Sequence, residues 1–239
     1  MTPPTLLALD TATSVCSVAL ARGDAVDIRT LEVGQRHSEH LLPMIDALLN
    51  AQGLGLADCD AIAFGAGPGS FTGLRIACGV AQGLAYGARR PVIPISNLAA
   101  LAWKAAQTEA SIRRVLAAVD ARMNETYWAV YDIDGDRAQE VMPPALADPP
   151  ALVALAEHHA VDAIAGDALI AFAESLRSCA CRRIAEARAD AAAIVTLARL
   201  AFADGAALAP ALATPIYVRD KVALTIDERH SLRAASEAS

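Results

Sequence analysis

Residues 115–122, VLAAVDAR, repeat a pattern already met at residues 6–13, LLALDTAT. Each has an apolar run, then an aspartate, then small or polar residues. The correspondence continues downstream. ETYWAVYDI (125–133) alternates as SVCSVALA (14–21) does. Asp134-Gly135-Asp136 turns where Gly23-Asp24 turns, and RAQEVMPPA (137–145) follows as AVDIRTLEV (25–33) does. Short apolar runs bounded by turn residues read as strands, so each stretch predicts a three-stranded meander. A repeat of this length predicts two copies of one α/β unit side by side.

After the first meander the spacing of Leu41, Leu42, Ile45, Leu48 and Leu49 predicts a helix over 38–52, with Ser38 as cap, Pro43 near the first turn and Gly53 as stop. A buried strand DAIAFGA (60–66) leads into a glycine-rich loop and a helix over 73–87. PVIPIS (91–96) and a helix over 97–108 close the first unit. The second continues with a helix near 149–159, a strand VDAIAG (161–166), and helices near 168–177 and 190–204. PIYVRD (215–220) is expected to return to a domain, and the residues beyond about Asp227 are polar. The division is 1–108 and 109–222 for two lobes, with 223–239 as a tail.

Composition narrows the function. The chain has 239 residues, 55% hydrophobic, with a net charge of -7. It lacks an apolar run of the roughly 20 residues that span a bilayer. MTPPTLLALD has neither the basic start nor the long apolar run of a secretory signal. The five cysteines are scattered and read as idle thiols of a reducing compartment, with a redox pair at Cys179-Ala-Cys181 the lesser reading. Together these predict a cytoplasmic protein without a membrane partner. An acidic chain gains little from phosphate backbones, so any work on nucleic acid needs positive surface from a partner. The doublets Arg113-Arg114 and Arg182-Arg183 read as solvated edges.

Two such units facing each other make the architecture of actin, sugar kinases and Hsp70, in which a nucleotide sits between strand–Asp–turn hairpins. The hairpins here read Asp10-Thr11-Ala12-Thr13 and Asp120-Ala121-Arg122-Met123. Neither carries the glycine that close approach to phosphate requires. The block GAGPGSFTG (65–73) lacks the lysine of a P-loop and the third glycine of a dinucleotide fingerprint. Asp10, Thr11, Gly67, Gly69 and Ser70 could still offer a weak anion contact at a helix start. The stronger reading is a sharp strand-to-helix turn with Ser70 or Thr72 as cap. His37 and His40 lie three apart without a third ligand nearby in sequence, so no metal is expected. No catalytic residues are assigned, and no cofactor.

The helix over 73–87 carries Gly79, Gly83 and Gly87 on one stripe and Ile76, Val80 and Leu84 on another. Each interior glycine costs about 1 kcal/mol against alanine. Close approach of another helix would offset that. The expected partner surface is Leu41, Leu42, Ile45, Leu49, Arg75, Ile76, Gly79, Val80, Gln82, Gly83 and Tyr86.

These blocks resemble a known family. LALDTATSVCSVAL, HSEHLLPMIDALL, FGAGPGSFTGLRIACGVAQGLA, PISNLAALA, VDARMNETYWAVY and PIYVRDKVALT together are similar to the bacterial TsaB (YeaZ) family, through to about Thr225. The resemblance implies a two-lobed actin-like (ribonuclease H-like) α/β fold with a duplicated mixed-sheet unit. It implies a non-catalytic part in forming N6-threonylcarbamoyladenosine at position 37 of tRNAs that read codons beginning with A. The implied partners are the transferase TsaD, the ATPase TsaE and, in the absence of TsaD, a second copy. TsaC supplies the threonylcarbamoyl-adenylate, and tRNA is met only through the complex. In TsaD a metal-binding HxxxH follows a strand like PVIPIS; the matching positions here are Asn97 and Leu101. The rival readings are an actin-like phosphotransferase and an M22-type metallopeptidase.

Overall fold

The computed structural model describes residues 3–219. In the first unit, β1 (Leu6–Asp10), β2 (Val15–Arg22) and β3 (Ala25–Glu32) form an antiparallel meander. Helix α1 (His37–Ala51) leads to β4 (Ala61–Gly67), then α2 (Phe71–Ala88), β5 (Val92–Ser96) and α3 (Asn97–Ala106). β4 runs parallel to β1 and β5 parallel to β4, giving the order β3-β2-β1-β4-β5. The second unit has the meander β6 (Arg114–Arg122), β7 (Glu125–Asp134) and β8 (Arg137–Ala147). There follow α4 (Ala151–His158), β9 (Ala163–Ala165), α5 (Ala168–Ala171), β10 (Arg182–Ile184) and α6 (Ala191–Ala203). Its sheet order, β10-β9-β6-β7-β8, is the same topology read from the other edge. The duplicated α/β unit expected from the repeat is therefore present, as two five-stranded mixed sheets.

The central strands owe their composition to burial on both faces. Successive side chains of a strand point to opposite sides. Leu7 and Leu9 of β1 accordingly pack outward with Val18, Leu41, Ile45, Ala77 and Ala81, beneath α1 and α2. Leu6 and Ala8 face the other way, into a core shared with the second sheet. That middle layer holds α3 and α6. It is built largely of alanine, including Ala100, Ala102, Ala105, Ala191, Ala193 and Ala198, all buried. Small side chains let two helices lie between two sheets without forcing them apart. Leu116, Val130, Leu152 and Ile164 form the outer core of the second sheet beneath α4.

The middle helices cross over. α3, from the first half of the sequence, packs on β6, β7 and β8, whereas α6, from the second half, packs on β1, β2, β4 and β5. A boundary near residue 108 thus divides the strands but not the helices.

Three local expectations change. Arg36, not Ser38, occupies the α1 N-cap and makes no side-chain cap bond. The helix start is held instead by Nε2 of His37, 2.8 Å from the Thr13 carbonyl. Pro43 falls in the second turn of α1, exposed, where water can serve the carbonyl it leaves unpaired. Of the helix expected over 168–177, only the single turn α5 forms, and turns follow it. β10 has no sequence signal beyond Arg182-Arg183-Ile184, since an edge strand this short shows no period. Gly53 does end α1, at φ +63°. The tail over 223–239 lies outside the described residues.

Candidate functional site

The glycine loop and the first hairpin meet at van der Waals distance. A Cβ on Gly73 would lie 1.9 Å from the Thr11 carbonyl oxygen, and one on Gly65 would lie 2.2 Å from Oδ1 of Asp10. The glycines are needed because the chain's own Asp10–Ala12 turn sits against them. The Thr11 hydroxyl donates to the Gly73 carbonyl at 2.7 Å. The Ser70 amide donates to the Ala12 carbonyl at 2.8 Å, and Ser70 Oγ caps α2 by accepting from the Gly73 amide at 3.3 Å. A weak anion contact is the sequence expectation at Asp10, Thr11, Gly67, Gly69 and Ser70. The five residues come together, but Asp10 and Thr11 are buried, and the amides of Gly67 and Ser70 are spent within the chain.

Asn97 sits at the centre of this arrangement. Its Nδ2 donates to Asp10 Oδ1 at 2.8 Å, and its Oδ1 accepts from the Gly67 amide at 2.7 Å. Burial pushes the Asp10 carboxyl up to about 6, against the lowering effect of the Asn97 bond. Leu101, one turn on, is buried in the middle layer. The two positions that the resemblance sets against a metal-binding HxxxH thus carry an engaged amide and a hydrocarbon. These residues do not fit a metal.

The second hairpin is closed by side chains. Arg122 donates from its amide and guanidinium to Asp120 at 2.8 and 3.1 Å. Arg122, Met123 and Asn124 all adopt positive φ, of 65°, 55° and 59°. The Arg219 guanidinium reaches across to the Ala121 carbonyl at 3.2 Å and pairs with Glu125.

Helix α2 has two different sides. Ala77, Cys78, Ala81 and Ala85 are buried against the first sheet. Opposite them Gly79, Gly83 and Gly87 are exposed, and a Cβ on any of the three would meet nothing within 4 Å. Arg75 lies along the same side, its guanidinium 3.2 Å above the Phe71 ring and 5.2 Å from that of Tyr217. Tyr86 is 81% exposed. Ile76 and Val80 are half-buried at the margin, and Leu42 of α1 is exposed.

The expected partner surface therefore divides. Leu42, Arg75, Gly79, Gly83 and Tyr86 are outward, with Ile76 and Val80 flanking them. Leu41, Ile45 and Leu49 point inward and belong to the chain's own core, because α1 needs that stripe to cover β2. Gln82 also turns inward: its Nε2 donates to the carbonyls of Pro210 and Ala213 at 3.2 and 3.0 Å. Those carbonyls belong to a strap, residues 208–219, which sequence reasoning largely missed. Leu208 bridges to Val92 at the sheet edge, the Ile216 amide donates to Ala66 at 2.7 Å, and Arg219 reaches the second hairpin. The return of PIYVRD to the fold was its only signal. Strap and helix end together frame a shallow groove of about 700 Å³ lined by Tyr86, Arg89, Arg90 and Pro210.

A family model described as TsaD, tRNA N6-adenosine threonylcarbamoyltransferase, matches residues 31–223. Two solved structures from Pseudomonas aeruginosa have the same fold. One is described as YeaZ and the other as an uncharacterized protein with similarity to peptidase YEAZ. They superpose with TM-scores of 0.82 and 0.83, each 38% identical, over 90% of this chain and 99% and 100% of theirs. The chain belongs to the TsaB (YeaZ) family. Two curated relatives are named tRNA threonylcarbamoyladenosine biosynthesis protein TsaB. That from Haemophilus influenzae is 57% identical over 127 residues, or 52% of either chain. That from Escherichia coli is 44% identical over 145 residues, 58% of this chain and 62% of the relative. This chain thus spans only about half to three-fifths of those relatives. Among the described residues, no helix is long and apolar enough to cross a membrane.

Proposed function

We propose that this protein is a non-catalytic adaptor in the formation of N6-threonylcarbamoyladenosine at position 37 of tRNAs that read codons beginning with A. In this reading it docks on the transferase TsaD in the cytoplasm, works with the ATPase TsaE, and pairs with a second copy when TsaD is absent. TsaC supplies the activated threonylcarbamoyl group, and tRNA is held by the assembly. The names of the relatives support the pathway. The observation that carries the adaptor role is the open side of α2. Three glycines there leave the backbone bare, although each weakens the helix by about 1 kcal/mol relative to alanine. A second helix laid along Gly79, Gly83 and Gly87 could approach closely, with Leu42, Val80 and Tyr86 as flanking apolar contacts.

The hairpins support the same division of labour. In the first, the glycine loop is occupied by the chain's own turn. In the second, no glycine opens the turn, Arg122 is bonded to Asp120, and Arg219 ties the turn to Glu125. A protein so arranged contributes shape to a complex and leaves the transfer to its partner.

The test is reconstitution from purified TsaD, TsaE, threonylcarbamoyl-adenylate and unmodified tRNA, with and without this chain. Product is expected only when the chain is present. Undiminished product without it would reject the adaptor reading, and ATP turnover by the isolated chain would favour a phosphotransferase.

A further inference from the structure

We propose that Cys179 and Cys181 form a reversible intramolecular disulfide, making residues 179–181 a dithiol redox site independent of the docking face. The two sulfurs lie 3.0 Å apart. Cys16, Cys59 and Cys78 are buried, whereas Cys179 and Cys181 are only partly buried, at the margin of the second sheet's outer core. The backbone on both sides of the pair is fixed. The Cys179 amide donates to Leu176 at 3.2 Å, and the Arg182 amide donates to Asp162 at 3.0 Å, where β10 begins its pairing with β9. The thiols are therefore held together by the fold, and closing the ring loses little chain freedom. Arg177 and Arg182 pair with Glu174 and Glu109, and exposed Arg183, two residues from Cys181 in the chain, adds a positive charge that favours an anionic reactant. A low-molecular-weight disulfide bearing carboxylates, such as oxidised glutathione, fits that chemistry.

The steps follow from thiol–disulfide exchange. Burial and the bond to Cys179 push the Cys181 thiol up to about 12, so it keeps its proton and can donate toward Cys179. Cys179, as thiolate, attacks one sulfur of the small disulfide; a mixed disulfide forms and one glutathione thiolate leaves. The bond that held the Cys181 proton is then gone. Cys181 loses its proton to solvent and attacks the Cys179 sulfur, and the second glutathione leaves. The protein gives up two electrons and two protons, and one disulfide is reduced to two thiols. A ring spanning only three residues closes under strain, and strained, exposed disulfides are the readily reduced ones.

The experiment equilibrates the full reduced chain with mixtures of oxidised and reduced glutathione, quenches exchange with acid, then counts thiols in denaturant and measures intact mass. Oxidising mixtures are expected to lower free thiols from the five in the sequence by two, with a mass loss of two hydrogens, reversed by dithiothreitol. In Cys181→Ser a glutathione adduct should persist on Cys179, and in Cys179→Ser the loss should vanish. Five thiols surviving every mixture would overturn the proposal. So would stable adducts on the unaltered chain, links between chains, or thiol loss unaffected by either substitution. A chain with the pair oxidised that still supports product formation in the reconstitution above would separate this site from the α2 face.

Discussion

Asp10 shows what a single side chain costs when a fold is built around it. Its carboxyl is 1% exposed and raised to about 6 from an ordinary 3.8. Below pH 3.8 the carboxyl is protonated both folded and unfolded and contributes no difference. Between 3.8 and 6 the folded chain holds the proton more tightly, so stability falls as pH rises. Above 6 the whole penalty of burying the charge is present, on the order of 3 kcal/mol. Asp10→Asn keeps an oxygen to accept from Asn97 and removes the charge. Its urea midpoint should exceed that of the parent at pH 8 and match it at pH 3.5; an advantage unchanged by pH would contradict the burial account. Gly73 gives a second measure at this scale. A methyl there would sit inside the radius of the Thr11 oxygen, so Gly73→Ala should cost at least about 2 kcal/mol, read as a shift in denaturation midpoint. Both residues stood out in the sequence, as a strand-end aspartate and as part of a glycine block. The sequence did not disclose what presses on them, because Asp10 and Asn97 lie 87 residues apart.

At the scale of the helix, α2 separates two kinds of glycine. Gly65, Gly69 and Gly73 face backbone or side chains of the same chain, whereas Gly79, Gly83 and Gly87 face open space. Replacing a glycine of the second kind should stabilise the isolated protein, since helix propensity improves and nothing is struck. Gly83→Leu is therefore expected to raise thermal stability slightly while abolishing the proposed pairing with TsaD or with a second copy. Loss of both properties together would mean that Gly83 serves the fold, and retention of pairing would mean that the docking face lies elsewhere. Calorimetry and analytical ultracentrifugation on one sample distinguish these outcomes. The helical period made the glycine stripe legible in the sequence. It could not distinguish an inward leucine from an outward one: Leu41 and Leu42 are adjacent and both apolar, yet one is buried and the other 49% exposed. The same limit hid Gln82, whose partners in the strap lie some 130 residues away.

For the whole molecule, the exchange of α3 and α6 matters more than the repeat that announced the two units. The duplication was legible because each copy keeps its own apolar runs and turns. The exchange was not, since a helix that reads as apolar and alanine-rich fits either sheet equally well. Its consequence is a single shared layer in which Ala100, Leu101, Ile194 and Val195 belong to one continuous core with strands of both sheets. Polar contacts follow the same path. Ser96 Oγ meets the Tyr131 hydroxyl at 3.1 Å, the Ala191 amide donates to Ser17 at 2.9 Å, and Lys104 pairs with Asp190. Neither sheet retains a covered inner face if the other unfolds, so the two should unfold together despite their separate topologies. Tryptophan fluorescence, which reports on the second sheet through Trp128 of β7 and through Trp103 of α3 packed on it, should follow the same denaturation curve as far-UV circular dichroism, which reports on both. Two separated transitions would show that each unit stands alone. A cut in the exposed turn near Glu109 should likewise leave fragments that remain associated until that common transition, because each fragment carries the helix that covers the other's sheet.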